Sequence, residues 1–179
     1  MVRIEGETVV LRPFEADEVD PTVRAWATFT DSVLAPGTAN PERVRKRLAR
    51  SGRFWRGFLD LAIEADGRVI GELQVRRRPA QTLPPGAVEL GILIHDQGDR
   101  GRGTGSEAIA LLIGWLFDSG EAERVQLSTE VGNAAMRRVA EKLGFDLEGV
   151  MRGFMPTSAG RADYAMYAVT KGDWESQRQ

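Results

Sequence analysis

At the centre of this chain stands Arg100-Gly101-Arg102-Gly103-Thr104-Gly105-Ser106-Glu107-Ala108, the stretch that decides its fold. Residues 87–94 before it are apolar and β-prone, and residues 109–117 after it are apolar at helical spacing. A strand that enters a helix through a glycine-rich turn leaves several backbone N–H groups unpaired at the positive end of the helix dipole. The stretch therefore predicts a phosphate-binding turn.

Two common phosphate-binding motifs fit this turn poorly. A P-loop needs a Lys-Ser/Thr pair directly after its last glycine, whereas Ser106-Glu107 follows Gly105. A dinucleotide-binding fingerprint needs three glycines at fixed offsets, whereas Gly101, Gly103 and Gly105 alternate. A turn with a purely structural role is an open alternative at this point.

Composition narrows the class of protein. A chain of 179 residues predicts a single domain over residues 1–179. It has no cysteine and one histidine, His95, which excludes disulfides, cysteine nucleophiles and a multi-histidine zinc site, so we expect no metal. Neither a signal-peptide pattern nor an apolar run of roughly 20 residues occurs, so we expect a soluble, cytoplasmic protein without a membrane partner. The net charge of −2 argues against a general nucleic-acid coat.

The remaining sequence predicts an α/β protein with about four helices and a mixed, mostly antiparallel sheet of about seven strands. One parallel pair is expected at the glycine-rich turn. The predicted strands cover residues 8–13, 58–65, 69–77, 87–94, 124–130, 145–155 and 164–170. The predicted helices cover residues 15–29, a segment opened by Asn40-Pro41-Glu42, the segment after the turn, and residues 133–143. Pro36-Gly37 predicts a break in the chain, and residues 78–86 predict a loop.

Two motifs resemble the GNAT superfamily of N-acetyltransferases. Its acetyl-CoA motif, Gln/Arg-x-x-Gly-x-Gly/Ala between the fourth strand and the third helix, is matched in full by Arg100 to Gly105. The second motif, Asn133-x5-Val139-x-Glu141-Lys142-x-Gly144-Phe145-x2-Glu148-Gly149, resembles the branch that acetylates the N-termini of ribosomal proteins. Leu11-Arg12-Pro13 and residues 163–174 resemble that branch too. The resemblance covers nearly the whole chain and implies one acetyltransferase domain over residues 1–179.

The resemblance implies acetyl-CoA as a co-substrate. In that fold the fourth and fifth strands, predicted here at residues 87–94 and 124–130, diverge after a bulge. The pantetheine arm pairs with backbone groups in the gap between them. The pyrophosphate lies on the amides of the glycine-rich turn, where Arg100 would add charge or point to solvent. Asn133 would cap its helix and face the cofactor, or only cap the helix. The implied cofactor-binding residues are Ile92, Leu93, Ile94, Arg100, Gly101, Arg102, Gly103, Thr104, Gly105, Ser106 and Asn133.

Transfer of an acetyl group from a thioester to an amine needs a base and a donor for the oxyanion. Without a cysteine to carry the acetyl group, the transfer would be direct. Glu89 is the candidate base, acting directly or through water, and the alternative is a carboxylate that only orients the acceptor. The oxyanion donor would be the backbone N–H of Ile92 or Leu93.

The general acid is harder to assign. Many relatives place a tyrosine seven residues after the asparagine that opens the fourth helix, and here that position is Ala140. Ser128, Thr129 and Tyr164 are candidate substitutes. Ala140 also motivates a second hypothesis, a non-catalytic acyl-CoA-binding or regulatory module.

The acceptor is expected to be an amine, either a peptide N-terminus or a small molecule, and the resemblance favours a protein N-terminus. The second helix and the residues after it are densely basic and permit two interpretations. They form a solvated surface balanced by the acidic first helix, or a docking surface for a ribosome, RNA or an acidic substrate. Exposed strand edges would permit a homodimer. The basic residues are Arg43, Arg45, Lys46, Arg47, Arg50 and Arg53.

Overall fold

The computed structural model describes residues 1–33, 40–77 and 83–178, which form eight strands and five α-helices. The strands are β1 (Ile4–Glu5), β2 (Val10–Arg12), β3 (Phe58–Ala65), β4 (Arg68–Arg76), β5 (Ala87–Ile94), β6 (Arg124–Glu130), β7 (Asp146–Thr157) and β8 (Gly160–Thr170). The helices are α1 (Ala16–Val33), α2 (Pro41–Leu48), α3 (Thr104–Asp118), α4 (Ala134–Lys142) and α5 (Lys171–Ser176), with a 3₁₀ turn at Gln97–Asp99. The predicted break at Pro36-Gly37 and the first part of the loop predicted for residues 78–86 lie outside the described residues.

All eight strands form one sheet in the order β1-β2-β3-β4-β5-β6-β8-β7. Every neighbouring pair is antiparallel except β5 and β6, which are parallel and are connected along the chain by α3. The mixed, mostly antiparallel sheet with one parallel pair is therefore confirmed. The prediction of about seven strands misses β1, which pairs with β2 through only two residues. So short a strand leaves no alternating pattern in the sequence.

The sheet opens between its two parallel strands. β5 and β6 pair only where residues 87–90 lie opposite residues 124–127. Beyond that point β5 stays on β4 as far as Ile94, and β6 stays on β8 as far as Glu130. The predicted divergence is confirmed, but its expected cause is wrong. The β4–β5 register runs without a shift from Arg76↔Glu89 to Gly71↔Ile94, so no bulge in β5 produces the gap.

Helices cover both faces of the sheet. On one face, apolar residues of the central strands pack on α3 through Ile109, Leu112, Ile113 and Leu116, and Ala140 of α4 belongs to the same core. On the other face, Val19 and Val23 of α1 and Val44 and Leu48 of α2 pack around Ala62. Because side chains alternate along a strand, each residue of β5 and β6 faces either α3 or the α1/α2 layer. These two sides of the gap are distinct environments.

A buried polar cluster lies under α2 on the α1/α2 face. Arg47, which is 9% exposed, donates to the Asp60 carboxylate at 2.9 Å, and the Gln74 amide donates to the same carboxylate at 3.2 Å. Glu72 is 8% exposed, and its Oε2 has no hydrogen-bond partner among the described residues. Burial first, and the negative charge of Asp60 second, raise the pKa of Glu72 to about 8. Glu72 is therefore mostly protonated near neutral pH.

We expect the variant Glu72→Gln to be more stable than the wild-type protein at alkaline pH. Between the ordinary glutamate pKa and the folded-state value, the folded protein binds more protons than the unfolded chain, so stability falls as pH rises through this window. Glutamine keeps the shape and cannot ionise. We predict that Glu72→Gln melts about 5 °C above wild type at pH 8 and that the two proteins melt at the same temperature at about pH 4.

Calorimetric melting curves at both pH values check this prediction. Glu175→Gln, on the exposed side of α5, is the matched control and should leave the melting temperature unchanged at either pH. A difference between Glu72→Gln and wild type that is the same at both pH values would contradict a protonated Glu72.

Candidate active site

The glycine-rich turn between β5 and α3 presents unpaired backbone donors. Gly101 and Gly103 have φ angles of 75° and 89°, in the left-handed region that glycine adopts without strain. Gly103 precedes α3 and supplies no side-chain cap. In the described part of the chain, the N–H groups of residues 101–106 have no hydrogen-bond acceptor. Several donors therefore meet at the positive end of α3, an arrangement that binds phosphate groups.

A buried carboxylate anchors this turn to the β3–β4 hairpin. Asp99 is 4% exposed and accepts from both terminal nitrogens of Arg68, at 2.9 and 2.6 Å. The bond from Arg68 holds the pKa of Asp99 below its usual value. Arg102, with Nη atoms 3.8 Å from Asp99 and 3.7 Å from Asp66, extends along the outside of the turn. The ion pair thus fixes the turn without using its backbone donors.

The side chain of Arg100 contacts the end of β5. Its guanidinium donates to the backbone carbonyl of Ile94 at 2.9 Å from Nη2 and 3.3 Å from Nε. This places a positive charge at the open end of β5, beside the unpaired amides of the turn. Arg100 is nevertheless exposed, and its role toward a phosphate stays a prediction.

The backbone groups that face the gap alternate along β5. The N–H of His95 donates to the Ile70 carbonyl on β4 at 2.9 Å. In an antiparallel pair, alternate residues direct both backbone groups to the same neighbour, so Leu93 faces β4, whereas Ile92 and Ile94 face the gap. The expectation that all three residues have free backbone groups is therefore wrong for Leu93. Of the two candidates for the oxyanion donor, only the N–H of Ile92 is directed into the gap.

A cavity of about 600 Å³ lies along the gap on the side of α3 and α4. Of the predicted cofactor-binding residues, Arg102 alone is absent from its lining. The others that line it are Ile92, Leu93, Ile94, Arg100, Gly101, Gly103, Thr104, Gly105, Ser106 and Asn133. Asn133 caps α4, with its side-chain oxygen accepting from the Met136 N–H at 3.1 Å.

Sequence analysis missed two cations in this lining. Arg138 and Lys142 stand four residues apart on α4 and both line the cavity. Residues four apart lie on the same face of a helix. Because Asn133 marks the start of α4, the sequence could have shown that Arg138 and Lys142 share a face of this helix. Together with Arg100, they add positive charge to the lining of this cavity.

A second cavity, of about 550 Å³, meets the first at the gap. The two linings share Phe29, Ile92, Ile109, Asn133 and Met136. The second cavity also contains all three candidate acids, together with Arg76 and Glu130. Those candidates are Ser128, Thr129 and Tyr164.

Two hydroxyls of the second cavity face the α1/α2 side. Ser128 and Glu130 share a face with Gln126, which is paired with Glu89, and Tyr164 is paired with Glu130. Thr129 lies on the opposite face. Burial first, and then the charge of Glu130, raise the pKa of Tyr164, so its phenol keeps its proton at neutral pH.

Ala140 is wholly buried in the core, so its side chain supplies nothing to either cavity. Tyr167 is also fully buried, and its hydroxyl accepts from Arg137 and donates to Glu141, both at 3.2 Å. Tyr167 lines neither of the two cavities. Neither residue therefore supplies a hydroxyl to the two cavities, whereas Ser128, Thr129 and Tyr164 all line the second one.

Glu89 lies close to the point where the strands diverge. It forms the last pair but one with β6, through Gln126, and it lies opposite Arg76 on β4. Its Oε1 accepts from Arg76 Nη2 at 2.6 Å. Arg76 lines the second cavity, whereas Glu89 itself lines neither cavity. Glu89 is thus separated from the second cavity by its ion-pair partner Arg76.

The described residues contain no group of three or more His, Cys, Asp or Glu side chains that could hold a metal ion. Within the same residues, none of the helices has the length and apolar character that crossing a membrane requires.

Comparisons with known proteins agree with this geometry. Residues 8–146 match the family described as acetyltransferase (GNAT) domain. YdaF of Bacillus subtilis is 32% identical over 78 residues, which span 44% of this chain and 43% of that protein. The chain therefore matches less than half of that relative's length. A second Bacillus subtilis protein, "Probable N-acetyltransferase YjcK", is 23% identical over 185 residues, which cover 96% of this chain and 99% of the relative.

A solved structure has the same fold. RimL, described as a ribosomal L7/L12 alpha-N-protein acetyltransferase in complex with coenzyme A, superposes with a TM-score of 0.77 at 19% identity. The superposition covers 94% of this chain and 98% of that chain.

The Asp99–Arg68 pair gives a prediction with a defined pH dependence. A carboxylate whose pKa is lowered by folding contributes stability above its unfolded pKa, and this contribution disappears as pH falls through the folded value. Asp99→Asn should therefore melt several degrees below wild type at neutral pH, and the difference should shrink in acid. Asp66→Asn, whose side chain is 74% exposed, is the control and should melt like wild type. A melting deficit that is as large in acid as at neutral pH would contradict this role of the ion pair.

Proposed function

Because the chain belongs to the GNAT acetyltransferase family, we propose that it transfers the acetyl group of acetyl-CoA directly to a primary amine within a ternary complex. The observation that carries this proposal is the meeting of two cavities at the gap between β5 and β6. One cavity has a phosphate-binding end, and the other extends from the shared residues to Arg76, Ser128 and Tyr164, whose side chains lie on the α1/α2 face of the sheet. We take residues 1–179 to be one acetyltransferase domain.

The residues around the first cavity fit coenzyme A. The pyrophosphate would accept from the unpaired amides of residues 102–106, with Arg100, Arg138 and Lys142 adding positive charge. The amides of the pantetheine arm would pair with the backbone of Ile92 and Ile94. Acetyl-CoA supplies the acyl group as a thioester. The coenzyme A complex of RimL, a protein of the same fold, supports this assignment.

In the proposed mechanism, the chain positions the carbonyl and manages two protons. The N–H of Ile92 donates to the oxyanion as it develops. Glu89 accepts the ammonium proton through water, because its carboxylate lies next to the second cavity rather than in its lining. Ser128 or Tyr164 then protonates the departing thiolate from the acceptor side of the gap.

We propose a protein N-terminus as the acceptor amine. The name of RimL describes an enzyme that acetylates the α-amine of a protein, and RimL has the same fold as this chain. A small-molecule amine is the alternative acceptor.

Thiol release from acetyl-CoA, measured against a panel of N-terminal peptides and small amines, tests the proposed function. Calorimetric titration with coenzyme A runs in parallel. Release that depends on an acceptor supports the enzyme and identifies the class of amine. Binding of coenzyme A without release from any acceptor favours a non-catalytic acyl-CoA-binding module, the alternative that Ala140 suggests.

Glu89→Gln should lower kcat at least about tenfold, because the amide can still accept from Arg76 but cannot take a proton. The Kd for coenzyme A should stay unchanged, because neither Glu89 nor Arg76 lines the first cavity. Steady-state kinetics and calorimetry measure the two quantities. Glu123→Gln, an exposed change in the turn before β6, is the control with the same chemistry. A Glu89→Gln variant with wild-type kcat would refute the base assignment.

Gly105 gives a paired test of the first cavity. A Cβ at this position would lie 3.5 Å from Ile92 Cδ1 and 3.9 Å from Ile94 Cγ1, which are ordinary contacts. Gly105→Ala should therefore fold and bind coenzyme A as wild type does, within about threefold in Kd. Gly105→Leu should extend into the cavity and raise Kd at least about tenfold, or about 1.4 kcal/mol. Similar affinities for the two variants, measured by calorimetry, would place the ligand elsewhere.

A further inference from the structure

A basic surface lies at the start of α2 and the loop before β3. It consists of the exposed Arg43, Arg50, Arg53 and Arg56, together with the rings of Trp55 and Phe58. Other cations of this region are already neutralised: Arg45 pairs with Asp20, Lys46 with Glu42, and Arg47 with Asp60. The four arginines of the basic surface form no ion pair with any described residue. This concentration of positive charge contrasts with a net charge of −2 for the whole chain.

The aromatic rings contact three of these four arginines. The guanidinium carbons of Arg50 and Arg56 lie 4.7 and 5.1 Å from the centroid of Trp55. That of Arg43 lies 5.8 Å from the centroid of Phe58. Stacked guanidinium groups lose less conformational freedom when they bind a carboxylate, which they can do with two parallel hydrogen bonds. A cavity of about 510 Å³ is lined by both rings and by Arg43 and Arg56.

The basic surface adjoins the proposed acceptor cavity through one row of the sheet. Glu89 is paired with Arg76, and Arg76 is paired with Phe58, so the three side chains stand on the same face in adjacent strands. Neighbouring strands are about 4.8 Å apart, which puts Phe58 about 10 Å from Glu89. An extended peptide covers about 3.3 Å per residue, so about three residues span this distance.

Building on the proposed function, we infer that the acceptor is a polypeptide with acidic side chains from about its fourth residue onward, which dock on the basic surface. The amine then lies in the second cavity, while carboxylates bind Arg43, Arg50, Arg53 and Arg56. Adjacency to the acceptor cavity favours a segment of the substrate over a separate nucleic acid. Binding of RNA to the same surface is an outcome that the test must detect.

The test uses three peptides with the same first three residues, followed by Glu-Asp-Glu, Gln-Asn-Gln or Lys-Arg-Lys and a C-terminal fluorophore. Fluorescence anisotropy measures binding without turnover, and thiol release measures kcat and KM. We expect the acidic peptide to bind at least about tenfold more tightly than the amide peptide at low salt. The advantage should decrease as salt is added, because exposed charges are screened.

Arg50→Ala/Arg53→Ala is the test variant. The matched control is Arg3→Ala/Arg152→Ala, which loses the same charge at two exposed positions, one before β1 and one on β7. We expect the test variant to raise KM for the acidic peptide about tenfold, with kcat and the Kd for coenzyme A unchanged. Melting temperatures establish that both variants are folded. The control should keep the preference for the acidic peptide.

The outcomes separate this inference from the proposed function. Equal binding of the acidic and amide peptides, or an undiminished preference in the test variant, overturns the docking surface. Tighter binding of a single-stranded RNA that displaces the acidic peptide overturns it in favour of a nucleic-acid partner. Preferential binding of the acidic peptide, together with no thiol release from any acceptor in the panel of peptides and amines, supports the docking surface and refutes acetyl transfer.

Discussion

The site depends on one constraint, the divergence of β5 from β6. Beyond Leu90 and Leu127, β5 stays paired with β4 and β6 stays paired with β8, but the two strands no longer pair with each other. The inner edges therefore keep backbone groups without strand partners, and buried groups of this kind need a hydrogen-bond partner. An extended molecule with amides along its length can supply these bonds in the manner of an additional strand.

The divergence also separates the two sides of the proposed reaction. Ile92 and Gly105 belong to the side of α3, where the unpaired amides and the cations of α4 converge. Arg76 and Tyr164 belong to the acceptor side, where Glu89 and the basic surface share the face covered by α1 and α2. A donor and an acceptor that enter from opposite faces would meet where the strands part, which is the geometry that direct transfer requires.

The sequence predicted elements whose signals are local and missed arrangements that depend on pairing between distant segments. Asn40-Pro41 and Asn133 open helices as expected, because capping needs only neighbouring residues. By contrast, the register between β5 and β4 decides which residues of β5 direct their backbone groups to β4. The sequence therefore did not show that Leu93 bonds to β4 while Ile92 and Ile94 face the gap. The ion pair between Arg47 and Asp60 could not be predicted for the same reason. The sequence shows that the helix is basic, but not which of its cations packs against β3.

Residue-resolved amide hydrogen exchange, measured by NMR with and without saturating coenzyme A, tests the central claim most directly. Coenzyme A should slow exchange at the amides of Ile92, Ile94 and residues 102–106, and should leave the amide of Leu93, already bonded to β4, unchanged. Protection confined to other segments, or binding that leaves the gap amides exchanging as in the free protein, would contradict the account.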